Sequence, residues 1–463
     1  MKKKLLMVAV VICMLATFLY TGRDGKTAGG PKKEIEKTDL KETIYFWYTD
    51  ESMTDFLSSA CVAYGENNNV RVIPMLKSES EYLEALNDAS LHSGQVPDVY
   101  LIRNDSLEKA YLAGLASHIM DTGKLCNTTH FPKTALSAVT YKDKMIAYPF
   151  YYETSAFVYN KNYVEAWVEG QLAKVPEEEE DVNEEEDEVD LVGEGEAVIE
   201  QEGEIVSALL ENDGIPTNVE EVLVFANNYD APENVEAVFR WDVSDIFYNY
   251  FYVGNYMIVG GEDGDDETKI SISNEETKKC LEIYQALNQF FYIESDTVSY
   301  DSVVQDFIDG KIVFTVATTD VIKRLEEAKQ EGTFAYEYGI ARVPRPSREL
   351  DGKSLSVTTC VVVNGYSENK EVANDFAAFL AGEYYENLYD RCNKVSANYA
   401  ANRGNEGLAV FMQEYENSRS LPKMIETSHF WIQLEILFSR VWDGGDAEQL
   451  LWELDNRIKS QFQ

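Results

Sequence analysis

From residue 43 to residue 115 the chain alternates strand-like and helix-like stretches, and no other feature restricts the fold as much. Residues 43–48 (TIYFWY), 70–74 and 97–102 are short runs rich in β-branched and aromatic residues, which suit strands. Residues 53–64, the apolar positions Tyr82, Leu83, Leu86 and Leu91, and residues 106–115 with Gly114 near their end have helical spacing. Strand, helix, strand, helix, strand predicts a parallel sheet with crossover helices. Ligands of such sheets sit beyond the carboxyl ends of the strands. That directs attention to Thr49, Asp50 and Glu51 and to the segment from Arg103 to Asp105.

A second constraint lies at residues 144–161, KMIAYPFYYETSAFVYNK. Two β-rich runs, 145–150 and 155–159, flank Tyr151, Tyr152 and Glu153. Pro149 has no N–H to give to a ladder, so it is expected to end the first strand or hold it on a sheet edge. Two tyrosines and a carboxylate between strands suit a crossing between two lobes that also faces a cleft.

With 463 residues the chain is long enough for two domains or one bilobal body. Its formal charge of −42 argues against nucleic acid or anionic lipid as a partner, since both carry the same sign. Cys61, Cys126, Cys280, Cys360 and Cys392 are widely spaced, with no CxxC and no Cys/His cluster, and read as buried or free thiols. One structural disulfide stays open, although an odd number cannot pair completely. His92, His118, His130 and His429 are scattered, and no HExxH, GxSxG or Gly-rich phosphate loop appears.

Between residues 177 and 204 there are 16 Asp or Glu and no Lys or Arg. Such a run repels itself and is expected to be a disordered, solvated insertion. The alternating carboxylates and central Gly of an EF-hand loop are absent from EEEEDVNEEEDEVD. The run at 262–267 reads in the same way, as an acidic hairpin turn. At the N-terminus, MKKK and an apolar run over 5–20 have the layout of a secretory signal or an uncleaved anchor. Ile12 before Cys13 disfavours lipidation. Residues 1–22 are expected to export the body, with 23–42 as a tether.

Several stretches, taken in order, resemble the extracellular solute-binding proteins of sugar ABC importers, in particular their maltodextrin-binding branch. One is Tyr148-Pro149, then Glu153 and an apolar run ending Tyr159-Asn160-Lys161. Another is PDVYLI followed by Asn104-Asp105 and Gly114-Leu115. Residues 214–221 (GIPTNVEE) resemble the family's Pro-Thr-Trp-Glu-Glu helix start, with Thr217 as cap and Glu220 completing a capping box. Residues 303–316, 338–346, 367–380 (with Ser367 as cap) and 393–398 follow. Leu421-Pro422 and Ser428-His429-Phe430-Trp431 resemble a Pro-containing loop leading to a stacking Trp. The resemblance covers nearly all of 43–459 outside an insertion at 165–212.

The resemblance implies an α/β, bilobal, periplasmic-binding-protein-like fold of type II, with two parallel-sheet-containing lobes joined by a hinge. Residues 43–151 with 357–404 would form lobe I, and 152–355 with 408–463 lobe II. It implies no enzyme and no cofactor, but a receptor for a small-molecule solute, a carbohydrate, delivered to ABC permease subunits. The expected protein is a bacterial, extracytoplasmic monomer, secreted or held at the membrane by its N-terminal segment, with no nucleic-acid partner. Trp431 matches a stacking Trp, Tyr250 or Tyr248 stands near another, and Asp105 falls where the branch has a sugar-binding Asp. Ile102 and Thr319/Asp320 fall where it carries Trp residues, which argues against long linear maltodextrins. Aromatic rings stack on a sugar's apolar face and carboxylates accept from its hydroxyls. The candidate ligand-binding residues are therefore Trp431, Glu153, Asp105, Glu51, Asp50, Tyr250, Tyr248, Tyr152 and Asp320. The alternatives are an acidic adhesive or Ca²⁺-binding surface protein, and a glycoside hydrolase, for which the many carboxylates would suffice.

Overall fold

The computed structural model describes residues 42–92, 95–174, 194–427 and 429–462, with the backbone alone at 194–201. The strands in chain order are β1 (Glu42–Tyr48), β2 (Val70–Leu76), β3 (Val99–Arg103), β4 (Thr140–Tyr141), β5 (Lys144–Met145), β6 (Tyr148–Asn160) and β7 (Ala237–Phe239). They continue as β8 (Ile258–Val259), β9 (Ile270–Ser271), β10 (Ile312–Thr318), β11 (Tyr338–Ala341), β12 (Leu355–Val363), β13 (Val395–Ser396) and β14 (Arg419–Ser420).

The main sheet runs β2-β1-β3-β12-β6-β10-β7. β1 is parallel to both β2 and β3, with the helices Thr54–Asn68 and Tyr82–His92 as crossovers, so the alternation in the sequence produces the expected parallel unit. β12 and β6 then enter antiparallel. β6 is the axis of the molecule. Its first half pairs with β12 and β13, and its second half with β10 and β11. The two halves of the fold are thus two-lobed around one shared strand, with β12 running beside it.

Pro149 does not end a strand. The runs at 145–150 and 155–159 are not two strands either, because β6 passes continuously from Tyr148 to Asn160. Pro149 lies opposite Cys360, where the β12–β6 register shifts between Thr359 and Cys360. A bulge tolerates a residue without an N–H, and this one places the proline inside the sheet.

Two aromatic-rich cores flank the shared strand. One gathers Trp167, Trp241 and Trp442, all fully buried, with the helices at the C-terminus. The other gathers Phe46, Phe56 and Phe131 against the face of β1 and β3. All five cysteines of the body are buried and unpaired, so no disulfide forms among them.

The insertion at 165–212 is helical on both sides, at Lys161–Leu172 and Glu194–Glu211, while 175–193 lies outside the described residues. Charge density misjudges the second helix because Ile205 and Leu209 are buried in the Trp167 core. The acidic run at 262–267 is the expected turn between β8 and β9, but it is docked. Ser137 Oγ donates to Asp263 Oδ1 at 2.7 Å, and the Lys142 N–H donates to Asp265 Oδ2 at 2.6 Å. Both helix caps shift along the chain. Asn218 caps Val219–Asn227, and Glu221 Oε2 accepts from Thr217 N and Oγ1. The helix Lys370–Gly382 starts after Asn369, and Ser367 instead donates to Asp98 at 2.6 Å. Among the described residues no helix is long and apolar enough to cross a membrane. The apolar run behind the signal-or-anchor reading, and the tether, lie outside them.

Candidate functional site

A cavity of about 970 Å³ opens at the carboxyl ends of β1 and β3 and over the middle of β6. Its floor follows from strand alternation, since side chains two apart share a face. Tyr151 and Glu153 of β6 line it together with Thr359 and Val357, their partners on β12. Tyr152, between them, points the other way and stacks on Tyr415 with ring centroids 3.9 Å apart and planes at 1°.

The first wall is made by the turns after β1 and β3. Asp50 caps the turn Glu51–Met53, accepting from Ser52 N at 3.0 Å and Ser52 Oγ at 2.6 Å. Lys394, from the loop before β13, reaches Asp50 at 3.0 Å and stands 5.6 Å from the centre of the Tyr151 ring. Arg103 pairs with Asp105 at 2.9 Å, and Ser106 Oγ donates to the other oxygen of Asp105 at 3.2 Å. The second wall is aromatic. Trp431, one residue into the helix Phe430–Trp442, lies 5.9 Å from Phe247 with the rings tilted at 39°. Its Nε1 donates to Glu435, one turn on, at 2.7 Å, which fixes the indole.

Charge placement in the cavity is uneven. Burial alone would raise the Asp50 pKa, but the Ser52 hydrogen bonds and the Lys394 charge hold it below the usual carboxylate range. Burial would lower the Lys394 pKa, but Tyr151, Asp50 and Glu153 around it raise it above that of an ordinary lysine. Glu153 is open to the cavity yet surrounded by protein. That burial raises its pKa, and Lys394 and Arg103 only partly oppose the effect.

The nine expected residues divide in two. Asp50, Glu51, Asp105, Glu153 and Trp431 all line the cavity. The other four do not. Tyr152 is buried against Tyr415. Tyr248 is buried and stacks on Tyr300 at 4.8 Å. Tyr250 is buried and donates to the Met257 carbonyl at 3.3 Å. Asp320 is committed to its own neighbours, accepting from Tyr300 Oη at 2.7 Å and pairing with Arg324 at 2.6 Å. Among the described residues no group of three or more His, Cys, Asp or Glu is arranged to hold a metal ion.

Residues 59–392 match the family of bacterial extracellular solute-binding proteins. The chain belongs to this family. A comparison with curated proteins finds no match. Among solved structures, the extracellular solute-binding protein of Staphylococcus aureus, in complex with maltose, is 19% identical with a TM-score of 0.69, over 91% of this chain and 98% of that one. A cyclo/maltodextrin-binding protein complexed with maltotetraose is 15% identical with a TM-score of 0.70, over 95% and 99%. The maltose-binding periplasmic protein of Listeria monocytogenes, in complex with maltose, is 19% identical with a TM-score of 0.67, over 91% and 97%. The shared feature is the two-lobed α/β fold with a large central sheet, as expected from the sequence.

Among the lining residues of this solute-binding protein that the sequence reading did not single out are Phe247 and Lys394. The segment holding Phe247 is aromatic at nearly every position. It forms two successive 3₁₀ turns, Ile246–Tyr248 and Tyr250–Tyr252, so a helical register picks the wrong ring. Lys394 has no local signal. Its role depends on Asp50 and Tyr151, both more than 200 positions away in the chain.

Proposed function

We propose that this solute-binding protein is an extracytoplasmic carbohydrate receptor that delivers its ligand to an ABC permease and catalyses nothing. The observation that carries the reading is one cavity lined by both the Phe247–Trp431 pair and the carboxylates Glu153 and Asp105. Its volume of about 970 Å³ is ample for an oligosaccharide of a few units. The rings would stack on the sugar's apolar C–H face, and Glu153, Asp105, Asp50 and Glu51 would accept from its hydroxyls. The maltose and maltotetraose bound by similarly folded proteins agree with this class of ligand.

Lobe I is proposed as residues 43–151 with 357–404, and lobe II as 152–355 with 408–463. They would close over the ligand by bending where β6 and β12 pass between them, and the closed monomer would dock on the permease. Residues 1–22 would export the body or anchor it. The apolar Ile102 and the committed Asp320 leave no aromatic at two positions where the maltodextrin branch has one, so long linear maltodextrins fit poorly.

Thermal unfolding of the full chain in a panel of oligosaccharides tests the proposal. A ligand at about 100 times its Kd adds ~2.7 kcal/mol, which appears as a raised Tm. A panel in which no carbohydrate raises Tm contradicts the reading.

A further inference from the structure

Three cations line the cavity, and each is already spent on a carboxylate. Lys394 pairs with Asp50 at 3.0 Å, Arg103 with Asp105 at 2.9 Å, and Lys109 with Glu84 at 3.2 Å. Four more lining carboxylates, Glu51, Glu79, Glu81 and Glu153, have no ion pair and no side-chain hydrogen bond among the described residues. The first three are on the rim. Glu153 is on the floor, open to the cavity, beside Tyr151 on the shared strand. The two cations whose charge reaches it, Lys394 and Arg103, are paired with Asp50 and Asp105, and desolvation outweighs them, so its pKa is raised.

The aromatic pair of the same cavity also favours a ligand. Phe247 and Trp431 both line it, and aromatic ring faces attract C–H groups and cations alike.

We propose that the ligand is a carbohydrate bearing a protonated primary amine, an amino sugar or a short oligomer of one, with its ammonium against Glu153. This deepens, and rests on, the carbohydrate-receptor reading. An ammonium brings three donors and the positive charge that the lining lacks. A neutral sugar leaves the surplus carboxylates uncompensated, and a uronate or phosphorylated sugar adds to them. N-acetylation removes the charge while keeping the sugar ring and its linkages, and maltotriose controls for the added acetyl bulk. That makes the acetylated compound the natural control.

Calorimetric titration of the full chain with a glucosamine trimer, an N-acetylglucosamine trimer, maltotriose and spermidine tests the proposal. The glucosamine trimer is expected to bind at least about tenfold tighter than the acetylated trimer or maltotriose, the scale of a hydrogen bond to a charged group. Glu153→Gln is expected to weaken that trimer about 10- to 100-fold, and to weaken maltotriose and the acetylated trimer, which lose only a neutral hydrogen bond, by a clearly smaller factor. Raising the pH from about 7 to about 9 removes the ligand's charge, not that of Glu153, so affinity is expected to fall. Equal or tighter binding of maltotriose or the acetylated trimer, unaffected by Glu153→Gln, overturns the amine proposal and leaves the carbohydrate receptor standing. Binding of spermidine alone, or of none of the sugars, overturns both.

Discussion

Trp431 was legible through the family resemblance, which has a stacking Trp in the helix after a Pro-containing loop, and Trp431 lines the cavity. Its neighbour Phe247 was hidden in a run of rings, where only the folded 3₁₀ turns decide which one faces outward. Tyr152 and Glu153 are adjacent in sequence and opposite in space. Strand alternation predicts that split once β6 is known to be one strand. Replacing Trp431 with Ala is expected to cost roughly 1–2 kcal/mol of ligand binding, about tenfold, with little loss of fold stability because the ring is only half-buried. Titration of the two proteins with the same oligosaccharide reads the difference, and equal affinities contradict the site. Lys423 is a second residue-scale test. It is 1% exposed, its Nζ donates to the Ser137 carbonyl at 2.7 Å, and burial pushes its pKa down to about 8 despite Asp265 and Asp263. The unfolded chain keeps the ordinary, higher lysine pKa, so between pH 8 and about 10.4 it binds more protons than the folded one. The Lys423 contribution to stability is therefore lowest below pH 8 and rises through that window, by roughly 3 kcal/mol at most. In urea melts across this range, wild type is expected to gain on Lys423→Met as pH rises. A constant difference contradicts the burial argument.

At the level of elements, the strand and helix rhythm of the first 115 residues translates almost directly into β1, β2, β3 and their crossovers, because each element carries its own periodicity. β6 resisted reading because Pro149 is a local breaker whose tolerance comes from a bulge at Phe150, which shows only once Cys360, 211 positions later in the chain, is paired with the proline. The cap expected at Thr217 with Glu220 forms one residue later: Asn218 Oδ1 accepts from the Glu221 N–H at 3.0 Å, and Asn218 Nδ2 donates to Glu221 Oε1 at 2.7 Å. The turn after the second 3₁₀ segment offers a packing test. A Cβ on Gly254 would lie 2.1 Å from the Lys353 carbonyl oxygen and 3.0 Å from the Tyr250 ring, so backbone must move to admit it. Gly254→Ala is expected to destabilise by about 1–3 kcal/mol, as overpacking of a tight contact does. An unchanged urea midpoint would show that the approach to β12 is looser than the structure has it.

For the whole molecule, the order of the family stretches was more informative than any one of them, and it carried the two-lobed fold through an insertion that composition alone misjudged. The surface is strongly acidic, with a formal charge of −42 over the chain, and self-repulsion opposes compactness. Raising salt from about 10 to about 150 mM shortens the Debye length from ~30 to ~8 Å, so the urea midpoint is expected to rise over that range. A midpoint that falls or stays level would mean that paired charges outweigh the repulsion. The central claim is that a carbohydrate sits on the shared strand, between the carboxylate turns and the aromatic wall. The most direct measurement is a crystal structure of the protein with the oligosaccharide that most raises its Tm. The account predicts a sugar ring stacked on Trp431 beside Phe247, with a polar group of the ligand within hydrogen-bond distance of Glu153. Ligand density elsewhere, with this cavity holding only water, would contradict it.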